Sequence, residues 1–347
     1  MDKILREDID SFRLPEDLAR LLRGSTVIVT GSTGLVGGMF VRCVDAAVAD
    51  VKWVLPVRDA AKAEKIFCRE KDQTRGKFII IAADLADFFT NTDIKADYIV
   101  HCASPTNGRY MSGHPAETFL LAVESTRAAL DYCRRAGVKG MVYCASIEYY
   151  GERHDDLPVS EETTGHIDHQ SPRSSYALGK QAAEYLCFSY AREYGVAAVS
   201  ARLTQTFGAG ISPGDTRVFA QFARSALQGE NIELHTAGLS AKPYCYTTDT
   251  VSALIYILLK GTPGEAYNVA TPGTYVSIRE FAALFRDTLN PSIEVTTKPT
   301  DAGYAPETRV NLNPDRLLSL GWRPVYSLPE MIRRLAASMK ARSGQNY

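Results

Sequence analysis

Between residues 25 and 203, six short apolar runs alternate with stretches of helical length, and that alternation leaves few folds open. The runs cover 25–30, 53–57, 78–82, 98–102, 140–144 and 196–203, and the stretches 35–49, 59–71, 115–136 and 174–194 read as helices. Strands that are apolar throughout are covered on both faces, and a helix between consecutive strands makes them parallel. With right-handed crossovers the expectation is an α/β fold with a doubly wound parallel sheet. Beyond residue 205 Gly and Pro recur (Gly208, Gly210, Pro213, Gly214, Pro263, Gly264, Pro272, Gly273) between shorter elements. This predicts a smaller C-terminal substrate-binding lobe over 206–347, with about 243–260 returning to the main domain of 25–205. A helical extension over 1–24, with apolar residues that must pack on something, precedes both.

Composition excludes several classes of function. With 39 basic and 40 acidic residues interleaved, there is no electrostatic case for nucleic acid or a membrane surface. The seven cysteines are odd in number and lack CxxC spacing, which argues against a disulfide framework, a zinc site or any other metal. Free thiols, an acid-rich N-terminal segment and no run of 18 apolar residues lead to a cytoplasmic expectation.

The first strand runs into Gly31-Ser-Thr33-Gly34-Leu35-Val36-Gly37 and then a helix. Glycines there permit a sharp turn and close approach of the backbone to a pyrophosphate, and the free N–H groups of the helix start favour the phosphates. The strand–glycine–helix context makes this a dinucleotide site, the feature that defines a Rossmann sheet. The second strand ends Val57-Arg58-Asp59. An acid would hydrogen-bond a ribose 2′-OH and an Arg would accommodate a 2′-phosphate, so Arg58 leans towards NADP while Asp59 keeps NAD open.

Tyr176 and Lys180 lie at i and i+4 of a predicted helix and share one face. Hydride transfer at a carbon bearing oxygen needs a proton acceptor or donor at that oxygen. Lowering a phenol by three pKa units takes about 4 kcal/mol, and one positive charge at about 4 Å supplies roughly that at an effective dielectric near 20. The pair follows the glycine loop by about 145 residues (176 minus 31).

The GxxGxxG spacing followed by YxxxK resembles the extended short-chain dehydrogenase/reductase superfamily, and in particular its NAD(P)-dependent nucleotide-sugar epimerases and dehydratases. The resemblance places Asp84-Leu85 against the adenine and Cys102-Ala103-Ser104 along the cofactor, and gives His101 a structural part. It makes Ser146 the third catalytic hydroxyl. It matches Glu148 to the Glu of sugar dehydratases and decarboxylases, while Ile147 falls where 4,6-dehydratases carry Asp. An Ile cannot protonate a leaving hydroxyl. Further along, Gln205 stands for an Asn, Lys242 for an Arg that meets the substrate pyrophosphate, Ala122 for an Asn, and Arg309 is a further phosphate or substrate candidate.

What this implies is transient oxidation of a sugar hydroxyl to a keto intermediate, with NAD or NADP retained between turnovers. Helices 115–136 and 174–194 form a homodimer interface in that family. The alternatives are a sugar-nucleotide decarboxylase of the UDP-xylose-forming type, an NADP-linked carbonyl reductase, and a non-catalytic nicotinamide-sensing protein.

Overall fold

The computed structural model describes residues 1–67, 77–105, 108–212, 214–298 and 307–343. Its centre is a seven-stranded sheet of β1 (Thr26–Thr30), β2 (Lys52–Val57), β3 (Lys77–Ala82), β4 (Tyr98–His101), β5 (Gly140–Ser146), β6 (Ala198–Leu203) and β7 (Ala266–Val269). The order is β7-β6-β5-β4-β1-β2-β3, and every neighbouring pair is parallel. The chain leaves β1 for one half of the sheet and returns beside it as β4, so the reversal falls between β1 and β4. Ligands of such sheets bind there, beyond the carboxyl ends of the strands.

Helices α1 (Lys3–Asp10) and α2 (Glu16–Leu22) precede the sheet, and α3 (Leu35–Ala47), α4 (Ala60–Phe67), α5 (Leu85–Asn91), α6 (Gly108–Gly113), α7 (Pro115–Ala136) and α8 (Ser174–Tyr194) are threaded through it. Then come α9 (Val218–Gln228), α10 (Thr247–Lys260), α11 (Ile278–Leu289), α12 (Asp315–Ser319) and α13 (Leu328–Ser343). Alternate strand residues enter opposite layers. Val27, Val29, Trp53, Leu55 and Val142 pack with α3 and α10, whereas Ile28, Val54, Ile99 and Met141 pack with α5, α7 and α8. This two-sided burial is why the strands read as continuous apolar runs.

Differences from the sequence reading are local. β5 continues to Ser146, so that hydroxyl ends a strand, and β6 starts at Ala198 because Gly195 caps α8 with φ +69°. The helix expected over 59–71 is described to Phe67; residues 68–71, with Cys68, lie outside the described residues. The other six cysteines are free. The return of the C-terminal half to the main sheet reaches further than 243–260, because β7 is its edge strand beside β6. The rest of that half builds a separate core from α9, α11, α13 and Phe207, Tyr244 and Tyr246.

The N-terminal extension is bolted down on both sides. Its apolar residues Leu5, Ile9, Leu18 and Leu22 join the α3 layer. The Asp8 carboxylate, fully buried, accepts from Tyr246 Oη at 2.6 Å and from Arg334 Nε at 2.8 Å. Asp2 caps α1 and accepts from Ser338 Oγ at 3.0 Å and Arg342 Nε at 2.8 Å. Helix α1 therefore ties the helix that follows the glycine loop to the last helix of the lobe.

Candidate functional site

The glycine loop is dictated by contact. Gly31 has φ +67°, and a Cβ on it would meet Ala103 N at 2.9 Å; one on Gly37 would meet Gly31 O at 2.6 Å. Gly34 is the N-cap of α3 and supplies no side-chain cap, so the amides of the first turn, beginning at Leu35, Val36 and Gly37, need another acceptor. Beside them Ser32 Oγ is buried without a hydrogen-bond partner. Thr33 is half-buried and Gly34 exposed, leaving the approach clear of bulky side chains. These residues fit a dinucleotide pyrophosphate. Gly37→Ala is expected to push the loop away from α3 and weaken dinucleotide binding roughly 10-fold or more, read by fluorescence titration with NADH and NADPH.

Other residues expected along the dinucleotide have surroundings of their own. Asp59 is exposed, and its Oδ1 accepts from Lys62 N at 2.9 Å at the start of α4. Arg58, beside it, is exposed. Asp84 caps α5, accepting from Ala86 N at 2.8 Å, and Leu85 opens that helix half-buried. His101 is sealed between Thr30 Oγ1 (2.8 Å) and Ser125 Oγ (3.4 Å), and burial pushes it down to about 3, so it is neutral. Cys102, Ala103 and Ser104 leave β4 partly exposed; Cys102 Sγ lies 3.1 Å from Cys144 Sγ, and Ala103 N donates to Thr30 Oγ1 at 3.1 Å.

Past the ends of β4 and β5, α8 brings Tyr176 and Lys180 against the sheet. Lys180 Nζ donates to Cys144 O at 2.6 Å and lies 5.7 Å from the Tyr176 ring centre. Burial lowers this ammonium to about 8. Tyr176 is pushed up to about 12, by burial first, with the Ser146 and Ser104 hydroxyls lowering it and the Glu148 charge raising it. From the sequence Lys180 is expected to lower the phenol. Among the protein's own groups burial outweighs that help, and of the two serine hydroxyls that oppose burial Ser146 has the larger influence, Ser104 Oγ being buried without a hydrogen-bond partner.

Ser146 Oγ accepts from Glu148 N at 3.2 Å, opening the 3-10 turn Ile147–Tyr150. This sends Ile147 into a small apolar cluster at 2% exposure and leaves Glu148 partly exposed. Lys242 Nζ meets Glu148 Oε1 at 3.1 Å. Lys242 first, then Arg173, holds the Glu148 carboxyl below its usual range against the opposing effect of burial. Glu148 is thus an ionised carboxylate at neutral pH, able to accept a proton or steer a charge.

Lys242 reaches this position because Ala241–Lys242 pairs antiparallel with Val276–Ser277. Gln205, half-buried, begins a short strand parallel to Tyr244–Tyr246. Arg309 bridges next to Ala241, but its guanidinium is taken by Asp156 (3.0 Å) and Glu307 (3.2 Å). The sequence reading missed the support beneath the turn. Arg202, buried, donates from Nε to Glu184 Oε2 at 3.0 Å and from Nη1 to Tyr150 Oη at 2.8 Å, and Tyr150 Oη donates to Asn268 Oδ1 at 2.6 Å. Its guanidinium carbon lies 3.4 Å from the Tyr149 ring centre. Only the i+4 spacing of Glu184 from Lys180 hinted that a carboxylate faces the sheet there.

Residues 27–270 match the model of the NAD dependent epimerase/dehydratase family. UDP-glucuronic acid decarboxylase 5 of Arabidopsis thaliana is 26% identical over 325 residues, covering 92% of this chain and 90% of that one. Among solved structures, the UDP-glucose 4-epimerase of Thermotoga maritima with UDP-glucose superposes with TM-score 0.76 at 20% identity, covering 93% of this chain and 100% of that chain. The dTDP-glucose 4,6-dehydratase of Bacillus anthracis in complex with NAD gives TM-score 0.75 at 18% identity, covering 92% and 98%. No helix among the described residues is long and apolar enough to cross a membrane.

Proposed function

The chain belongs to the NAD dependent epimerase/dehydratase family, and from that premise we propose that it transiently oxidises one hydroxyl of a nucleotide-linked sugar and reworks the neighbouring carbon. The observation that carries this reading is the placement of Ser146 and Glu148, two residues apart. One offers a hydroxyl to Tyr176 and the other a carboxylate to Lys242. A nicotinamide dinucleotide held at Gly31 to Gly37, Ala103 and Ser104 supplies hydride acceptance and return. Tyr176 takes the proton of the sugar hydroxyl, and Ser146 donates a hydrogen bond to the same oxygen. The ketone acidifies its neighbour, and the ionised Glu148 accepts the proton there. Lys180 stays charged below about pH 8 and favours the phenolate.

Decarboxylation is the second reading. There the ketone takes up the electron pair of a breaking C–C bond, and the carbon dioxide lost was a sugar carboxylate. The likeness to UDP-glucuronic acid decarboxylase over most of both chains favours it. Elimination of a 6-hydroxyl is disfavoured, because Ile147 is buried and offers no proton.

Arg58, exposed and free of capping duty, leans the site towards NADP, whereas Asp59 is spent on α4. Exposed Leu120, Tyr185, Phe188 and Tyr194 on α7 and α8 support a homodimer through those helices, and the free thiols support a reducing, cytoplasmic setting. Gln205 and Lys242 remain substrate contacts in this reading; Arg309 orders the lobe.

Purified protein is offered UDP-glucose and UDP-glucuronate, and products are followed by nuclear magnetic resonance. Epimer or pentose product supports the proposal; no binding and no turnover of any sugar nucleotide sinks it. Glu148→Gln is expected to slow the step after oxidation about 100-fold, with a keto sugar accumulating. An unchanged rate would remove Glu148 from the chemistry.

A further inference from the structure

Arg173 stands immediately before α8 with a helical backbone (φ −65°, ψ −28°). Arg173, Tyr176 and Lys180 therefore follow at i, i+3 and i+7 and share one stripe of that helix. The stripe is pinned to the segment that carries Ser146 and Glu148. Lys180 Nζ donates to Cys144 O at 2.6 Å, and Gln181 Nε2 donates to Tyr149 O at 2.8 Å. So Arg173 lies one turn beyond the phenol, on the side where its charge reaches the Glu148 carboxylate.

The other cations around the site are already engaged. Lys242 is paired with Glu148, Arg202 with Glu184, and Arg309 with Asp156 and Glu307. Arg173 is exposed and has no ion pair or hydrogen bond among the described residues. Glu148 and Lys242 neutralise each other, and Lys180 is buried on Cys144 O, which leaves Arg173 as the solvent-exposed positive charge without an ion pair next to that carboxylate. A neutral sugar offers that charge only single hydroxyl acceptors, whereas a carboxylate matches the planar fork of a guanidinium through two parallel hydrogen bonds.

We propose that Arg173 binds the substrate's own sugar carboxylate and makes the enzyme selective for a nucleotide-linked uronic acid, an inference that rests on the nucleotide-sugar reading above. Lys242 then has a second duty. By pairing with Glu148 it removes the repulsion that carboxylate would exert on an incoming uronate.

The test is isothermal titration of the full chain with UDP-glucuronate and with UDP-glucose, for the unaltered protein, Arg173→Gln and Arg173→Lys. Arg173→Gln is expected to weaken UDP-glucuronate roughly 10- to 100-fold while UDP-glucose changes less than about 2-fold. Arg173→Lys should restore part of the loss, and the kinetic defect should fall on KM more than on kcat. Equal weakening of both ligands would place the guanidinium on the shared diphosphate and overturn the proposal. No weakening of either overturns it too, and leaves the nucleotide-sugar reading intact because the unaltered protein still binds. If the unaltered protein binds neither sugar nucleotide, the functional reading fails and this one with it.

Discussion

Tyr176→Phe is expected to reduce turnover about 1,000-fold while the dinucleotide still binds with nearly unchanged affinity. The substitution removes one oxygen and no bulk, and nothing in the glycine loop depends on it. The size of the loss follows from the environment of the phenol. Burial pushes Tyr176 up to about 12, so the phenolate is scarce unless the reaction complex stabilises it. Besides the Lys180 charge, the hydroxyls of Ser146 and Ser104 favour the phenolate, and a bound oxidised nicotinamide adds positive charge. The sign of the pH dependence follows. The base form of Tyr176 is the reactive one, so the rate of sugar oxidation rises with pH as the phenol ionises. The rise is cut off where Lys180, lowered to about 8 by burial, loses its own proton. In Tyr176→Phe the rising limb should vanish. Single-turnover absorbance at 340 nm across pH 6 to 9.5 measures both; full activity in the variant would remove Tyr176 from the chemistry.

Arg202→Ala carries the largest expected cost to stability. It leaves the Glu184 carboxylate, 10% exposed, without its cation, and it strips Tyr150 Oη and Glu161 O of a donor. Breaking a buried pair from one side costs about 3–5 kcal/mol because the remaining charge stays uncompensated. Chemical denaturation should show that loss in the midpoint. The double change Arg202→Met with Glu184→Met should recover most of it, since an apolar pair of similar volume removes the stranded charge. If Arg202→Ala and the double variant are equally destabilised, the ion pair is not the source. The Ile147–Tyr150 turn rests on this pair through Tyr149 and Tyr150, so residual activity in the single variant should fall by more than the unfolded fraction accounts for.

Much of the architecture was legible because its signals are local. Five of the six runs between 25 and 203 are largely buried and the edge run 78–82 is half-buried, and α7 and α8 span Pro115–Ala136 and Ser174–Tyr194, the bounds expected from sequence. β7 escaped notice because Ala266–Val269 is short and set among Gly and Pro; only pairing with β6 makes it part of the sheet. Among the candidate site residues, Tyr176, Lys180, Ser146 and Glu148 do come together, and Lys242 joins them across 94 positions of chain. Asp59 and Asp84, expected along the cofactor from sequence, each also cap a helix through Oδ1, a use that any Asp before a helix can have. Arg309 illustrates the converse: a lone Arg has no visible partner in sequence, and Asp156 lies 153 positions away.

The amino-acid sequence alone determined the doubly wound sheet, the glycine loop and the Tyr176–Lys180 face, because burial period, positive φ and helical spacing are properties of neighbouring residues. Tertiary structure alone decided what surrounds that face. Lys242 lies on Glu148, Arg202 lies beneath the turn, and Asp8 clasps Tyr246 and Arg334. Each of these joins groups far apart in the chain. Such pairs are selected by folding as a whole, since the low polarity of the interior makes an unpartnered charge costly wherever its partner happens to be encoded.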